Sequence, residues 1–250
     1  MTSTSNTRDE DEPKQLPSYE DLRRAGQPVY FSVDAKRIFW PLNGPLTTSI
    51  GIMEDVFTPD SREPYFNTDG TWHSASQSPF TEPKVPSITV HVDDLDQWES
   101  QWLDIHRDHS DPDGGEEYGP WVKYGELPDY DSEEEDSDGP PHLLMCCGTQ
   151  RPRGKAVTVV VRSSGEFVTI HDYLRTVHPW LLGLREDLLG AMAVFDDEPL
   201  PTETKIVVGS IDPENLMMDK EAEWIDRRRR RKPALGGSES KNKATDSSVA

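Results

Sequence analysis

The sequence predicts a single α+β domain, a small mixed sheet packed by two or three helices, with long irregular and disordered segments. Three observations predict it. Short β-branched runs of strand length are interspersed with stretches whose apolar residues recur at helical spacing. Hydrophobic residues make up only 33% of the 250 while charged ones reach 29%, too little apolar surface to order the whole chain. The charge is also segregated. Residues 93–138 hold 18 acids against Arg107 and Lys123, whereas residues 227–250 hold eight bases against two acids.

Taken in order, residues 1–15 are polar and read as a disordered end. Pro28-Val29-Tyr30-Phe31 and Ile38-Phe39-Trp40 carry enough apolar surface to dock on a core. Residues 56–86, rich in proline and aromatics, read as irregular chain lying over it. Ser87-Ile88-Thr89-Val90-His91-Val92 alternates like a half-buried strand. Asp93 or Asp94 is expected to cap a helix with Leu95, Trp98, Trp102 and Ile105 on one face. Residues 109–141 follow as an acidic disordered insert, most repulsive over residues 129–136, because like charges this dense offer no apolar burial in return. Leu143-Leu144-Met145-Cys146-Cys147 reads as a short buried strand.

The most regular core is expected over residues 151–218. Val157-Thr158-Val159-Val160-Val161 is a strand, turned back by Ser163-Ser164-Gly165 onto Glu166-Phe167-Val168. Thr169, with Asp172 three residues on, forms a helix N-terminus in which Asp172 can return the capping bond. Ile170, Tyr173, Leu174 and Val177 share a face of that helix, and Pro179 is expected to break or kink it. A second helical stretch covers residues 180–195, where Gly183 and Gly190 suggest close approach by a neighbour. Lys205-Ile206-Val207-Val208 is another strand, and residues 222–230 a short helix anchored by Trp224 and Ile225. This half is too small to stand alone, so the N-terminal half is expected to dock onto it. The single domain thus spans residues 16–226, with a basic, disordered tail at 227–250.

The run Val168-Thr169-Ile170-His171-Asp172-Tyr173-Leu174, then Val177-His178-Pro179-Trp180-Leu181 and residues 184–192, resembles the core of a group of uncharacterised fungal proteins, a domain family of unknown function. The resemblance covers about a quarter of the chain and implies a fold, not an activity.

Function is read mainly by exclusion. No stretch approaches the roughly 18 apolar residues of a spanning helix, and residues 1–12 lack the apolar centre of a secretory signal. The expected location is therefore cytoplasmic or nuclear, not secreted. Cys146 and Cys147, adjacent and the only cysteines, support neither a disulfide framework nor a four-ligand zinc site. His106 and His109 read as surface residues flanking the insert, and no metal or cofactor is expected. Cys146 or Cys147 with His171 and Asp172 would form a nucleophile–base–acid set, but thiols in an apolar run are inert and Asp172 is already used by the helix cap. No phosphate loop, dinucleotide fingerprint or nucleophile elbow occurs, so no catalytic residue is assigned. An enzyme with an unrecognised His/Cys site is the alternative.

Partner motifs remain. Arg227-Arg228-Arg229-Arg230-Arg231-Lys232 reads either as a nuclear import run or as cations closing a helix against its dipole; a nucleic-acid partner is not expected of so anionic a molecule. Leu16-Pro17-Ser18-Tyr19 and Leu127-Pro128-Asp129-Tyr130 repeat a Leu-Pro-x-Tyr spacing that resembles ligands of WW domains. The expectation is a non-enzymatic interaction protein whose acidic insert and basic tail bind proteins, basic ones included, with a WW-binding adaptor as a further alternative.

Overall fold

A computed structural model of the protein describes residues 16–109, 121–127, 141–154, 157–196, 198–209 and 212–231. The first half carries α1 (Tyr19–Arg24), β1 (Tyr30–Phe31), β2 (Ile38–Phe39), α2 (Leu46–Ser49), β3 (Gly51–Met53), β4 (Arg62–Pro64), β5 (Thr81–Glu82), β6 (Ser87–Val92) and α3 (Asp93–Ile105). The second half carries β7 (Lys123–Gly125), β8 (His142–Cys146), β9 (Thr149–Gln150), β10 (Thr158–Arg162), α4 (Ile170–Gly183), α5 (Arg185–Met192), β11 (Ile206–Val208), β12 (Asn215–Leu216), β13 (Met218–Lys220) and α6 (Glu221–Arg230). Among the described residues the strands form five small sheets of two or three strands, and the architecture is that of an α+β domain.

β6 is the middle strand of the sheet β10–β6–β12, antiparallel to β10 and parallel to β12. Its alternation has a direct outcome: Ile88, Val90 and Val92 are fully buried while Ser87, Thr89 and His91 are partly exposed. α4 buries Ile170, Tyr173, Leu174, Val177 and Leu181 in the same core. Its N-terminus is a complete capping box: Asp172 N–H donates to Thr169 Oγ1 (3.0 Å) and Thr169 N–H donates to Asp172 Oδ2 (3.2 Å). The N-terminal half docks as expected. Tyr19, Leu22, Val29, Trp40, Ile52, Tyr65 and Phe80 belong to the same buried cluster, and the Phe80 and Tyr173 rings stack at 3.6 Å.

Several expectations are corrected. Residues 166–168 do not fold back on β10, whose partner is β6. Val168 instead donates to Val85 O, while Ser164 N–H and Thr169 N–H both reach the Asp172 carboxylate and draw the chain straight into α4. Pro179 does not end α4. It and Arg175 four residues earlier are both exposed, so the carbonyl that loses its intrahelical donor can be met by water while the opposite face holds the helix in place. Neither Asp93 nor Asp94 caps α3: Asp93 Oδ1 accepts from Asn215 Nδ2 and Asp94 Oδ2 from Met218 N–H. Of the two helical glycines, a Cβ on Gly190 would lie 2.8 Å from the Trp98 ring, but one on Gly183 would meet nothing within 4 Å.

Two boundaries also move. The stretch 109–141 is interrupted by β7, which pairs with β8; the remaining residues 110–120 and 128–140 lie outside the described residues. Arg227–Arg230 are the last turn of α6, not the start of a disordered tail.

Candidate functional site

The first Leu-Pro-x-Tyr copy is not available to a partner groove. Ser18 caps α1, accepting from Asp21 N–H at 3.1 Å, and this turns the Tyr19 ring into the core, where it is fully buried. Leu16 is half-buried and Pro17 exposed. In the second copy Leu127 is half-buried, while Pro128 and Tyr130 lie outside the described residues.

The basic run behaves as a helix end. Arg227 pairs with Asp219, Arg229 with Asp60 and Asp226, and the Arg230 side chain donates to Asp226 O. The Arg228 guanidinium lies 4.7 Å over the Trp224 ring and donates to Val56 O. Trp224, buried against Phe39, Met53 and Val207, fixes the helix that presents these cations. Arg231 is exposed and Lys232 lies outside the described residues.

The histidines of α4 are held by the core. His178 Nδ1 accepts from Trp40 Nε1 (2.9 Å), so its proton sits on Nε2, which donates to Gly44 O (2.8 Å). Burial holds His178 below the usual histidine range. His171 packs against Tyr65 and Trp72 and faces the Tyr65 hydroxyl at 3.3 Å. Burial pushes its pKa down, and Arg175 adds to the effect. Burial pushes Asp172 up, but hydrogen bonds from Ser164 and Thr169 outweigh it and keep the carboxyl ionised below its ordinary range. Cys146 belongs to a different cluster, with Trp102 and Leu143. The structure therefore does not bring His171, Asp172 and the thiols into the nucleophilic set that sequence alone allows.

It brings together another set. β8 and β9 form a two-residue hairpin in which Cys147 (φ 51°) and Gly148 (φ 81°) both have left-handed backbone, the signature of a type I′ turn. Along a strand, Cys146 and Cys147 would point to opposite faces; the left-handed Cys147 undoes the alternation and leaves the sulfurs 3.5 Å apart and unbridged. The hairpin is fastened to α3: Trp102 Nε1 donates to Thr149 Oγ1 (3.1 Å), Thr149 Oγ1 donates to Cys146 O (2.9 Å), and Arg151 Nε donates to Glu99 Oε1 (2.7 Å). That places the pair beside His106 at the end of α3. One ligand atom each from His106, Cys146 and Cys147 lie within 4.8 Å of one another.

His106 is thus buried, not the surface residue expected, and its ring lies against Trp102 at 4.3 Å. Its Nδ1 is 2.8 Å from Trp102 O; a carbonyl only accepts, so Nδ1 carries the proton and Nε2 the lone pair. Burial, with the neighbouring Cys147, pushes the Cys146 thiol up to about 12, against a role as a ready nucleophile. His106 and Cys147 line a groove of about 460 Å³ with Trp98, Trp102, Val194 and Pro199.

No protein family, curated protein or solved structure matches this chain. Sequence spacing misses the His106–Cys146–Cys147 set because some forty residues separate its two halves. The one local signal is Cys147-Gly148, a thiol at a turn position that favours Asn or Gly. Among the described residues no helix is long and apolar enough to cross a membrane.

Proposed function

We propose that the protein is a non-enzymatic interaction protein of the cytoplasm or nucleus whose acidic stretch engages basic proteins. The observation that carries this reading is uncompensated charge. Residues 93–138 hold 18 acids and two bases; Arg151 offsets one of those acids, Glu99, while Arg227 and Arg229 are engaged outside the stretch, with Asp219 and Asp60. Within a Debye length of about 8 Å at physiological salt, a partner bringing lysines or arginines relieves that repulsion. Such recognition speeds encounter and weakens as salt rises.

Deleting residues 110–140 is a poor test, because it would remove β7 from its sheet. Neutralisation is cleaner. Asp129→Asn, Asp131→Asn, Glu133→Gln, Glu134→Gln, Glu135→Gln and Asp136→Asn together remove six negative charges without touching a described element. The full chain is expected to capture core histones at about 0.15 M salt, and the sixfold variant to lose that capture. Equal capture by both overturns the proposal.

A further inference from the structure

We propose that His106, Cys146 and Cys147 form a binding site for one borderline-soft divalent cation of the zinc class, open on the groove side. This goes beyond the charge-based reading of function and does not depend on it. Three independent features converge on the site.

The first is ligand geometry. Tetrahedral zinc, with Zn–S of about 2.3 Å and Zn–N of about 2.05 Å, sets its ligands roughly 3.6–3.8 Å apart. The sulfurs are already 3.5 Å apart, and the ligand atoms of all three residues lie within 4.8 Å. The remaining adjustment is at most about 1 Å on the zinc distances above, and the exposed Cys147 side chain lacks the close packing that surrounds buried Cys146.

The second is preparation of the histidine. The Nδ1–H bond to Trp102 O fixes the tautomer, and the Trp102 ring, 4.3 Å away and tilted by 35°, limits rotation of the imidazole, the outer-shell arrangement that makes a metal-binding imidazole.

The third is the cost of the turn. A non-glycine residue with φ near 51° is disfavoured unless it is Asn or Asp. A cysteine there gives up local stability, and the conformation it adopts is the one that turns its sulfur towards Cys146. Two thiolates and an imidazole select a zinc-like ion over Mg²⁺ or Ca²⁺, which take oxygen ligands. Binding releases one proton from each thiol, so charge balances as a divalent cation exchanged for two protons. Three protein ligands leave a fourth position for water or a donor entering the groove between Trp98 and Pro199.

The test uses the full chain, reduced and stripped with chelator, titrated with Co²⁺ and then Zn²⁺. The expected result is one Co²⁺ per chain, a thiolate-to-cobalt charge-transfer band with tetrahedral d–d bands, and displacement by Zn²⁺. Cys147→Asn suits the left-handed turn and so preserves the fold; it should abolish the band, weaken Zn²⁺ binding by about tenfold or more, and leave the metal-free melting temperature unchanged or higher. His106→Phe keeps a ring on Trp102 and should weaken binding likewise. Absence of the thiolate band in the wild type, or wild-type Zn²⁺ affinity in either variant, overturns the assignment.

Discussion

Tyr19→Phe and Tyr19→Ala together separate a packing role from a ligand role for the first Leu-Pro-x-Tyr copy. Tyr19 is fully buried, and its hydroxyl has no hydrogen-bond partner among the described residues. Burial, with the Glu214 and Asp212 carboxylates next in weight, pushes its ionisation above the ordinary tyrosine range, so the group is neutral and simply dehydrated. A buried hydroxyl left unmet costs about 1–3 kcal/mol. Phe removes that cost and leaves a gap of a single oxygen, so the net gain is about 1 kcal/mol, or roughly 2–4 °C in melting temperature for a chain of this size. Ala empties the whole ring site and should cost about 3–5 kcal/mol. Urea unfolding followed by tryptophan fluorescence reads both. An accessible ligand tyrosine would tolerate both changes within about 0.5 kcal/mol. That outcome, or a Phe variant less stable than wild type by more than about 1 kcal/mol, refutes the packing account.

Other predictions follow from single contacts. Ala at Gly190 gains up to about 1 kcal/mol of helix propensity but drives a Cβ to 2.8 Å from Trp98, an overpacking cost of about 1–3 kcal/mol. Gly183→Ala meets nothing and should stabilise by about 0.5–1 kcal/mol, so calorimetry should show the Gly190 variant melting below the Gly183 variant. Burial raises the Asp94 carboxyl to about 6. Between pH 4 and 6 the folded state therefore holds the proton that the unfolded state has lost, and this group's contribution falls as pH rises through that window, by an amount on the order of 2 kcal/mol. His171 and His178, depressed by burial, act with the opposite sign, so the measurement is the stability difference between wild type and Asp94→Asn across pH 4–7. It should grow in favour of Asn with rising pH and level off above about 6. Arg228→Gln, which loses the Trp224 ring and the Val56 carbonyl, should cost about 1–2 kcal/mol, whereas Arg231→Gln at the exposed helix end should stay within about 0.5 kcal/mol by urea unfolding.

Features fixed within one turn or one strand were legible in the sequence. β6 shows its alternation openly, Thr169 and Asp172 announce the start of α4, and Gly190 marks a close approach that Trp98 makes. Features set by distant partners were not. The segment after β10 reads as the second arm of a hairpin until Val85 and Phe80 take up the backbone groups of Val168. Pro179 reads as a breaker because its exposed position is invisible without the opposite buried face. Tyr19 reads as a displayed ligand because nothing local shows that Ser18 turns its ring inward. The metal-ligand set is hidden for the same reason: its histidine ends a helix and its cysteines close a hairpin, and the Trp102–Thr149 and Arg151–Glu99 bonds bring them together.

If the acidic stretch is a binding surface for cations carried by another protein, fluorescence-anisotropy titration of a labelled lysine-rich peptide should separate the full chain from the sixfold-neutralised variant at several salt concentrations. Six charges at about 0.2–1 kcal/mol each predict a dissociation constant larger by roughly sevenfold or more for the variant near 0.1 M salt, with the gap narrowing as salt rises. Identical affinities for the two proteins, with the same salt dependence, would contradict it.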